Sequence, residues 1–206
     1  MTRDFDPAPS AAIDVPAAAI GVHSAAIDVV ALAGSLRSGS YNRGLLRAAV
    51  ELAPVGVAIE ILDLTRVPLF NQDLEPSLPP RVSLLRTRVA SSDALLLATP
   101  EYNHTIPGVM GNVIDWLSRR LPTSPLRDKP IAMMGAAGGG GSVRAQAALR
   151  VPLEHAGALV LEIPFVAFRE VSLLANETGD LIDLGARDQV AGLVGALVEF
   201  VETRRR

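Results

Sequence analysis

The sequence lacks cysteine altogether, and among its 206 residues only three are histidines. The absence of cysteine excludes disulfide bonds, thiol nucleophiles and thiolate metal sites, and it is compatible with the cytoplasmic location that we expect. The three histidines form no metal-ligating motif, so we predict no bound metal. An activity that depends on a thiolate is therefore excluded.

Aromatic residues are also scarce, at 4% of the sequence, whereas hydrophobic residues make up 49%. The core must consist mainly of alanine, valine, leucine and isoleucine, which is typical of a parallel sheet covered by helices. Basic clusters are limited to residues 204–206, and the net charge is -3. We interpret this basic tail as a solvated helix end, and we expect neither nucleic acid nor a membrane as a partner.

Residues 1–26 are rich in alanine and proline and lack the basic start and unbroken apolar segment of a signal peptide. We predict that they form a disordered N-terminal extension. Residues 27–206 are enough for one sizeable hydrophobic core, and their pattern indicates no second core. The chain is therefore interpreted as one domain behind an extension.

Short apolar segments recur after residue 26 and alternate with segments of helical periodicity. They predict strands at 27–33, 57–62, 93–98, 129–134 and 158–163, and helices at 43–52, 81–91, 109 onward, 143–156 and 189–203. This alternation is typical of a doubly wound, five-stranded α/β sandwich with helices on both faces. The loops after strands one, three and four carry unusual residues, and they converge if the strand order is 2-1-3-4-5, which is flavodoxin-like.

The first of these loops contains Ser35, Arg37, Ser40 and Asn42 and leads directly into a helix. Free N–H groups at the helix start, hydroxyl donors and one guanidinium suit a bound phosphate. Gly34 and Gly39 have the glycine spacing of a Walker loop, but Ser40 and Tyr41 stand where that loop needs lysine and serine or threonine. The dinucleotide fingerprint fails because Leu36 stands where its second glycine would be, so a terminal monophosphate is the expected ligand. Helix capping alone, by Ser40 or Asn42, is the alternative, although it explains only one of these polar residues.

The second loop, residues 100–107, is bounded by prolines and holds a dense polar cluster that includes Glu101, Tyr102 and Asn103. Its position at the carboxyl end of a buried strand makes it a candidate active-site loop. Glu101 is expected either to contact the ligand or to structure the loop. Tyr102 is expected either to shape the substrate side of the pocket or to pack between subunits.

The third loop, residues 135–142, contains four consecutive glycines between a strand and a helix. Glycines let the backbone lie against a flat ligand, and a flexible turn is the alternative. A monophosphate at the first loop of a flavodoxin-like sheet suggests FMN. A phosphoryl-receiver domain would need an acidic pair where Gly34 and Ser35 stand, and a serine hydrolase would need a G-x-S-x-G motif, which the sequence lacks.

Several motifs resemble the NAD(P)H-dependent FMN reductase family, which has a flavodoxin-like fold and includes chromate, quinone and azo reductases. They are Gly34-Ser-Leu-Arg37 with Ser40 and Asn42, Pro100-Glu-Tyr-Asn103, Ile106-Pro-Gly108, Asn112 with Asp115-Trp116, and Arg144-Ala-Gln146. The resemblance covers residues 27–203. It implies an enzyme that passes a hydride from NADPH or NADH through FMN to quinones or other small acceptors, including chromate, nitro or azo compounds.

The resemblance also implies that the first loop holds the FMN phosphate and that the backbone of residues 100–103 lines the isoalloxazine ring. No acid or base of the protein is expected to act in catalysis, because the cofactor carries the chemistry. The expected cofactor-binding residues are Ser35, Arg37, Ser40, Asn42, Pro100, Glu101, Tyr102, Asn103, Ala136 and Gly138. Ala136 and Ala137 stand where the family commonly has serine, so only backbone contacts carry over to that loop.

A homodimer or homotetramer is a further implication of the resemblance, with the flavin sites near the subunit contact. We expect part of residues 109–121 to be buried in that contact, since exposed apolar residues beside a proline-rich loop favour a partner. Gly111 stands where family members often have lysine, which leaves the choice between dimer and tetramer open. The competing hypothesis is a flavodoxin-like electron carrier or regulatory protein that binds FMN and has no NAD(P)H activity of its own.

Overall fold

The computed structural model describes residues 27–119, 123–138 and 140–206, so the predicted extension at residues 1–26 lies outside the described residues. A parallel sheet forms the centre of the domain. Its strands are β1 (Ile27–Ala33), β2 (Val57–Ile61), β3 (Ala94–Ala98), β4 (Pro130–Ala136), β5 (Leu159–Val160) and β6 (Val166–Phe168). The helices are α1 (Tyr41–Glu51), α2 (Pro80–Ser91), α3 (Gly108–Ser118), α4 (Val143–His155) and α5 (Leu184–Arg205).

The strand order β2-β1-β3-β4-β5 confirms the predicted flavodoxin-like sheet. Every pairing in it is parallel, with Val29 opposite Ala94 and Leu96 opposite Ala132. All five residues of β3 are buried, as expected for a central strand covered on both faces. The order of the strands reverses between β1 and β3, and this is the place where doubly wound sheets bind ligands.

The fifth predicted strand, residues 158–163, is wrong in its extent. The structure divides this edge into β5 and β6, and both strands pair with β4. Ile131 pairs with Val160, and Met134 pairs with Val166. Between these two pairs β4 has only residues 132 and 133, whereas the other side has residues 161–165. The longer segment therefore loops away from the sheet. Pro164 lies in this loop and has no N–H to donate to a strand. The predicted connection over residues 165–187 therefore begins with a strand, which carries the following residues to the carboxyl edge of the sheet.

Helices cover both faces of the sheet because successive residues of β1 point to opposite sides. Val29 and Ala31 pack with α1 and α5 on one face, whereas Val30 and Leu32 pack with α2, α3 and α4 on the other. The final helix begins at Leu184, five residues before the predicted start at 189, because the Asp183 carboxylate accepts a hydrogen bond from Ala186 N at 2.8 Å. None of the described helices is long and apolar enough to span a lipid bilayer.

The apolar residues of α3 are already buried in the core of this chain. Met110, Val113, Ile114 and Leu117 are each at most 4% exposed and pack against the sheet. The expectation that exposed apolar residues of segment 109–121 point to a partner is therefore wrong in its premise, and residue 121 lies outside the described residues. Trp116 is buried too, and its indole N–H donates to Pro68 O at 2.8 Å, which ties the long loop before α2 to α3.

Candidate active site

The three loops that the sequence analysis singled out meet around a cavity of about 420 Å³ at the carboxyl edge of the sheet. This volume lies within the range of about 300–1,000 Å³ that is typical of small-molecule sites. All the predicted cofactor-binding residues except Asn103 line it. The complete lining is Ser35, Arg37, Ser40, Tyr41, Asn42, Pro100, Glu101, Tyr102, Ala136, Ala137, Gly138, Glu170, Val171 and Ser172.

The start of α1 opens into this cavity. Ser40 is its N-cap, and the hydroxyl of Ser40 accepts a hydrogen bond from Arg43 N at 3.4 Å. The next N–H groups, those of Tyr41 and Asn42, belong to the first turn and have no acceptor within the helix. Ser40 thus performs the capping role that the sequence offered as an alternative, and it leaves two backbone donors and the positive end of the helix dipole for an anion.

Arg37 adds a positive charge to the same wall of the cavity. Its guanidinium donates to Gly39 O at 3.1 Å and lies 5.9 Å from the centre of the Tyr41 ring. The side chain is exposed and forms no ion pair with any described residue. Because its charge is uncompensated beside a helix N-terminus, this corner of the cavity is suited to a phosphate.

Asn42 has a different contact from the one expected. Its side-chain amide donates to Ala136 O at 2.8 Å, and its side-chain oxygen accepts from Ala136 N at 3.0 Å. Asn42 is only 3% exposed, so this pair of hydrogen bonds is buried. The residue fastens the first loop to the third, and its predicted contact with the phosphate stays a prediction.

We expect Asn42→Ala to lower the free energy of unfolding by about 1–3 kcal/mol, because the buried N–H and C=O of Ala136 lose their partners. The third loop would loosen at the same time, so FMN and riboflavin should both bind more weakly and by similar factors. Urea denaturation together with fluorescence titration of the two flavins checks this result. A loss confined to FMN would instead assign Asn42 to the phosphate.

Glu101 reaches across to the helix that follows the third loop. Its carboxylate accepts hydrogen bonds from Arg144 N at 2.9 Å and from the Arg144 guanidinium at 3.2 Å, and a ring nitrogen of His104 lies 3.3 Å away. The Glu101 side chain is only 7% exposed. Because Arg144 lies in the first turn of α4, Glu101 caps this helix from another loop. The structure thus assigns to Glu101 the loop-structuring role that the sequence left open.

The environment of Glu101 also lowers the pKa of its carboxyl group. Burial raises the pKa of the carboxyl group, but the hydrogen bonds from His104, Arg144 and Ala145 outweigh burial and hold the pKa below the ordinary value of 4.5. A carboxyl group with a lowered pKa in the folded state stabilises the fold above its unfolded-state pKa, and this contribution is lost as the pH falls through the folded-state value.

The Glu101→Gln variant should therefore lose less stability in acid than the unchanged protein. We expect the free energy of unfolding of the two proteins to differ most near neutral pH and to converge as the pH falls below about 4. Urea denaturation at a series of pH values measures this difference. A difference that stays constant down to strongly acidic pH would contradict the proposed charge-assisted capping of α4.

Tyr102 lines the cavity and begins a tight hairpin. Tyr102 N donates to Thr105 O at 3.1 Å, and Thr105 N donates to Tyr102 O at 2.9 Å. The two residues between them, Asn103 and His104, are left-handed, with φ of 51° and 60°, as a two-residue turn of this kind requires. The Tyr102 hydroxyl lies 3.4 Å from the Ser35 hydroxyl and links the first two loops. Asn103 is at the tip of the turn and does not line the cavity, so its contact with the cofactor stays a prediction.

The glycines of the third loop have two separate roles. A Cβ atom on Gly135 would lie 2.1 Å from Thr99 O and 2.2 Å from the Ser142 hydroxyl, so Gly135 allows the end of β4 to lie close to the residue that follows β3 and to the N-cap of α4. Gly138, by contrast, faces open space, with no described atom within 4 Å of a Cβ position. The close approach to a flat ligand that the sequence suggested is therefore available at Gly138, whereas Gly135 serves packing within the protein.

A fourth segment of the cavity wall was missed by the sequence analysis. Glu170, Val171 and Ser172 follow β6 and line the cavity beside the third loop. Ala137 N donates to Phe168 O at 3.3 Å and joins the two segments. The signal for β6 in the sequence is the apolar run Val166–Phe168, which is too short to predict a strand.

Comparison with known proteins agrees with this geometry. The sequence matches the family model described as NADPH-dependent FMN reductase over residues 27–172. The chain belongs to this family. Among its relatives is an NAD(P)H-dependent FMN reductase of Pseudomonas aeruginosa, which is 40% identical over 179 residues that cover 86% of this chain and 96% of the relative.

Two further relatives extend the comparison. A quinone reductase of Escherichia coli K12 is 36% identical over 182 residues, which cover 84% of this chain and 95% of the relative. A solved structure of FerB, a flavoenzyme NAD(P)H:(acceptor) oxidoreductase from Paracoccus denitrificans, superposes with a TM-score of 0.76 at 30% identity. That match covers 86% of this chain and 98% of FerB. The segment that matches the family model includes every residue that lines the cavity.

Proposed function

We propose that this protein is an NAD(P)H-dependent FMN oxidoreductase that reduces quinones. The observation that carries the proposal is the convergence of an open helix N-terminus, an uncompensated Arg37 and the second and third loops around one cavity. Membership of the FMN reductase family supports the same activity. FMN, when bound, supplies the hydride chemistry, and the protein contributes binding, orientation and electrostatics.

Different residues of the cavity are proposed to bind the phosphate, to bind the ring and to hold the loops in place. Arg37, Ser35 and the N–H groups at the start of α1 are placed to hold a phosphate. The backbone of residues 100–102 and 136–138 offers the surfaces along which the ring would lie. Glu101 and Asn42 fasten these loops to one another, so the cavity is organised by the protein itself.

The proposal extends to the acceptors and to the assembly. Besides quinones, we expect chromate, nitro or azo compounds to be reduced, because the family that the chain resembles includes chromate and azo reductases. NADPH or NADH is the electron donor. We further propose a cytoplasmic homodimer or homotetramer, as the resemblance to the family implies.

The test starts from the purified protein and its visible spectrum, followed by anaerobic titration with NADPH and steady-state rates on a panel of acceptors. The enzyme should gain the flavin absorption band with FMN, lose it within seconds on addition of NADPH, and regain it when a quinone is added. A protein that binds FMN but is not bleached by NADPH or NADH would be an electron carrier instead. A protein that gains no flavin band would contradict the whole proposal.

A further inference from the structure

Glu170 is the acidic residue of the cavity wall whose charge is not compensated. It follows β6, is exposed, and its carboxylate forms no ion pair or hydrogen bond with any described residue. The other acidic residue of the wall, Glu101, differs because Arg144 and the start of α4 neutralise it. The neighbouring Arg169 does not line the cavity, and its Cγ lies 3.4 Å from the Cβ position of Gly141 on the glycine loop.

The backbone of Glu170 holds the side chain at this place. Its φ of 45° and ψ of 38° are left-handed, which is uncommon for a residue with a side chain. The conformation is held on both sides, since Phe168 is paired in β6 and Val171 is buried in the core. Glu170 O accepts a hydrogen bond from Leu173 N at 2.9 Å. Backbone strain of this kind is found mainly where function requires a particular geometry.

The other charged residues of the cavity wall have or would gain partners, so Glu170 determines how the wall acts on a charged acceptor. Arg37 is the only cation among the described residues that line the cavity, and a bound phosphate at the start of α1 would compensate it. Among the described side chains that line the cavity, the carboxylate of Glu170 is then the charged group that has no partner of opposite sign. A negative wall raises the energy of an anionic acceptor and leaves a neutral one unaffected.

We propose that Glu170 selects electron acceptors by charge, favouring neutral or cationic acceptors over anionic ones. This inference rests on the proposed function, since it concerns the acceptor of the same cavity. A unit charge about 7 Å from another, at an effective dielectric constant between about 40 and 80, changes a rate or an affinity about 3- to 8-fold. Removal of the carboxylate should therefore increase the rate with a singly charged anionic acceptor by about this factor.

The experiment follows the oxidative half-reaction of the holoenzyme, reduced beforehand with dithionite, so that the charges of NADPH play no part. The probes are a neutral naphthoquinone and the same quinone with one sulfonate group. Each takes up two electrons from the reduced cofactor and two protons to become the hydroquinone. In Glu170→Gln, the second-order rate constant should rise about 3- to 8-fold for the sulfonated quinone and stay nearly unchanged for the neutral quinone.

The matched control is Glu177→Gln, which removes the same charge from an exposed residue farther along the same connection, outside the cavity lining. It should leave both rate constants nearly unchanged. Equal rate changes for the two quinones in Glu170→Gln, or no change for either, would overturn the inference while the quinone reductase activity stands. A holoenzyme that transfers electrons to neither quinone would instead contradict the proposed function itself.

Discussion

The Arg37→Ala variant is expected to bind FMN about 10- to 100-fold more weakly than the unchanged protein, while its affinity for riboflavin stays nearly the same. A charge-assisted hydrogen bond contributes about 1.5–3 kcal/mol, which corresponds to this range of affinity. Riboflavin shares the ring system of FMN and lacks the phosphate, so comparing the two affinities separates binding of the phosphate from binding of the ring. Fluorescence titration of both flavins measures the ratio.

Arg43→Ala is the matched control for this experiment. Arg43 lies in the first turn of α1, six positions after Arg37, but it does not line the cavity. Its removal changes the net charge equally and should leave the ratio of FMN to riboflavin affinity nearly unchanged. If Arg37→Ala weakened both flavins by one factor, Arg37 would support the ring pocket or the fold. Unchanged binding of both flavins would place the phosphate elsewhere.

The Gly44→Ala variant is expected to have the largest effect on stability. Gly44 lies inside α1, where alanine would ordinarily be the better helix former. A Cβ atom at this position, however, would stand 1.8 Å from Gly179 O, a backbone atom that cannot rotate away. The loop around Gly179 is held by its own turn and by the Arg47 ion pair with Asp180, so it must be displaced as a unit.

We expect Gly44→Ala to lower the free energy of unfolding by about 1–3 kcal/mol or more, as overpacking of a close contact does. The control is Gly192→Ala in α5, where no described atom lies within 4 Å of the Cβ position. This second variant should stabilise the fold by up to about 1 kcal/mol, because alanine replaces glycine in a helix. Thermal and urea denaturation show whether the free energy of unfolding falls in Gly44→Ala and rises in Gly192→Ala. A stabilised Gly44→Ala variant would contradict the close packing of α1 against this loop.

The strands and the first loop were predictable because their signals are local. β1 and β3 are short apolar runs that need helices on both faces, and the structure buries them in this way. Arg37 and Ser40 precede an amphipathic helix in the sequence itself, so an open helix N-terminus with a nearby cation could be inferred without any tertiary contact.

The roles of Asn42 and Glu101 could be identified only in the folded protein. Asn42 pairs with Ala136, which is 94 positions away, and Glu101 pairs with Arg144, which is 43 positions away. From the sequence alone, Asn42 and Glu101 could each be interpreted as a residue that contacts a ligand or caps a nearby helix. Their partners come from other strands and helices, and polar side chains are satisfied by whichever backbone groups the packing brings near.

The amino-acid sequence by itself determined the class of the fold, the order of its elements and the loop that can receive a phosphate, because periodicity and helix-start chemistry act over a few residues. Only the tertiary structure decided that β6 exists and that Glu170 stands in the cavity wall. Pairing of three residues with the end of β4 places them there, and this pairing depends on a strand that is already formed by residues 130–136. Contacts of that kind have no local signal, since a three-residue strand is stable only beside its neighbour.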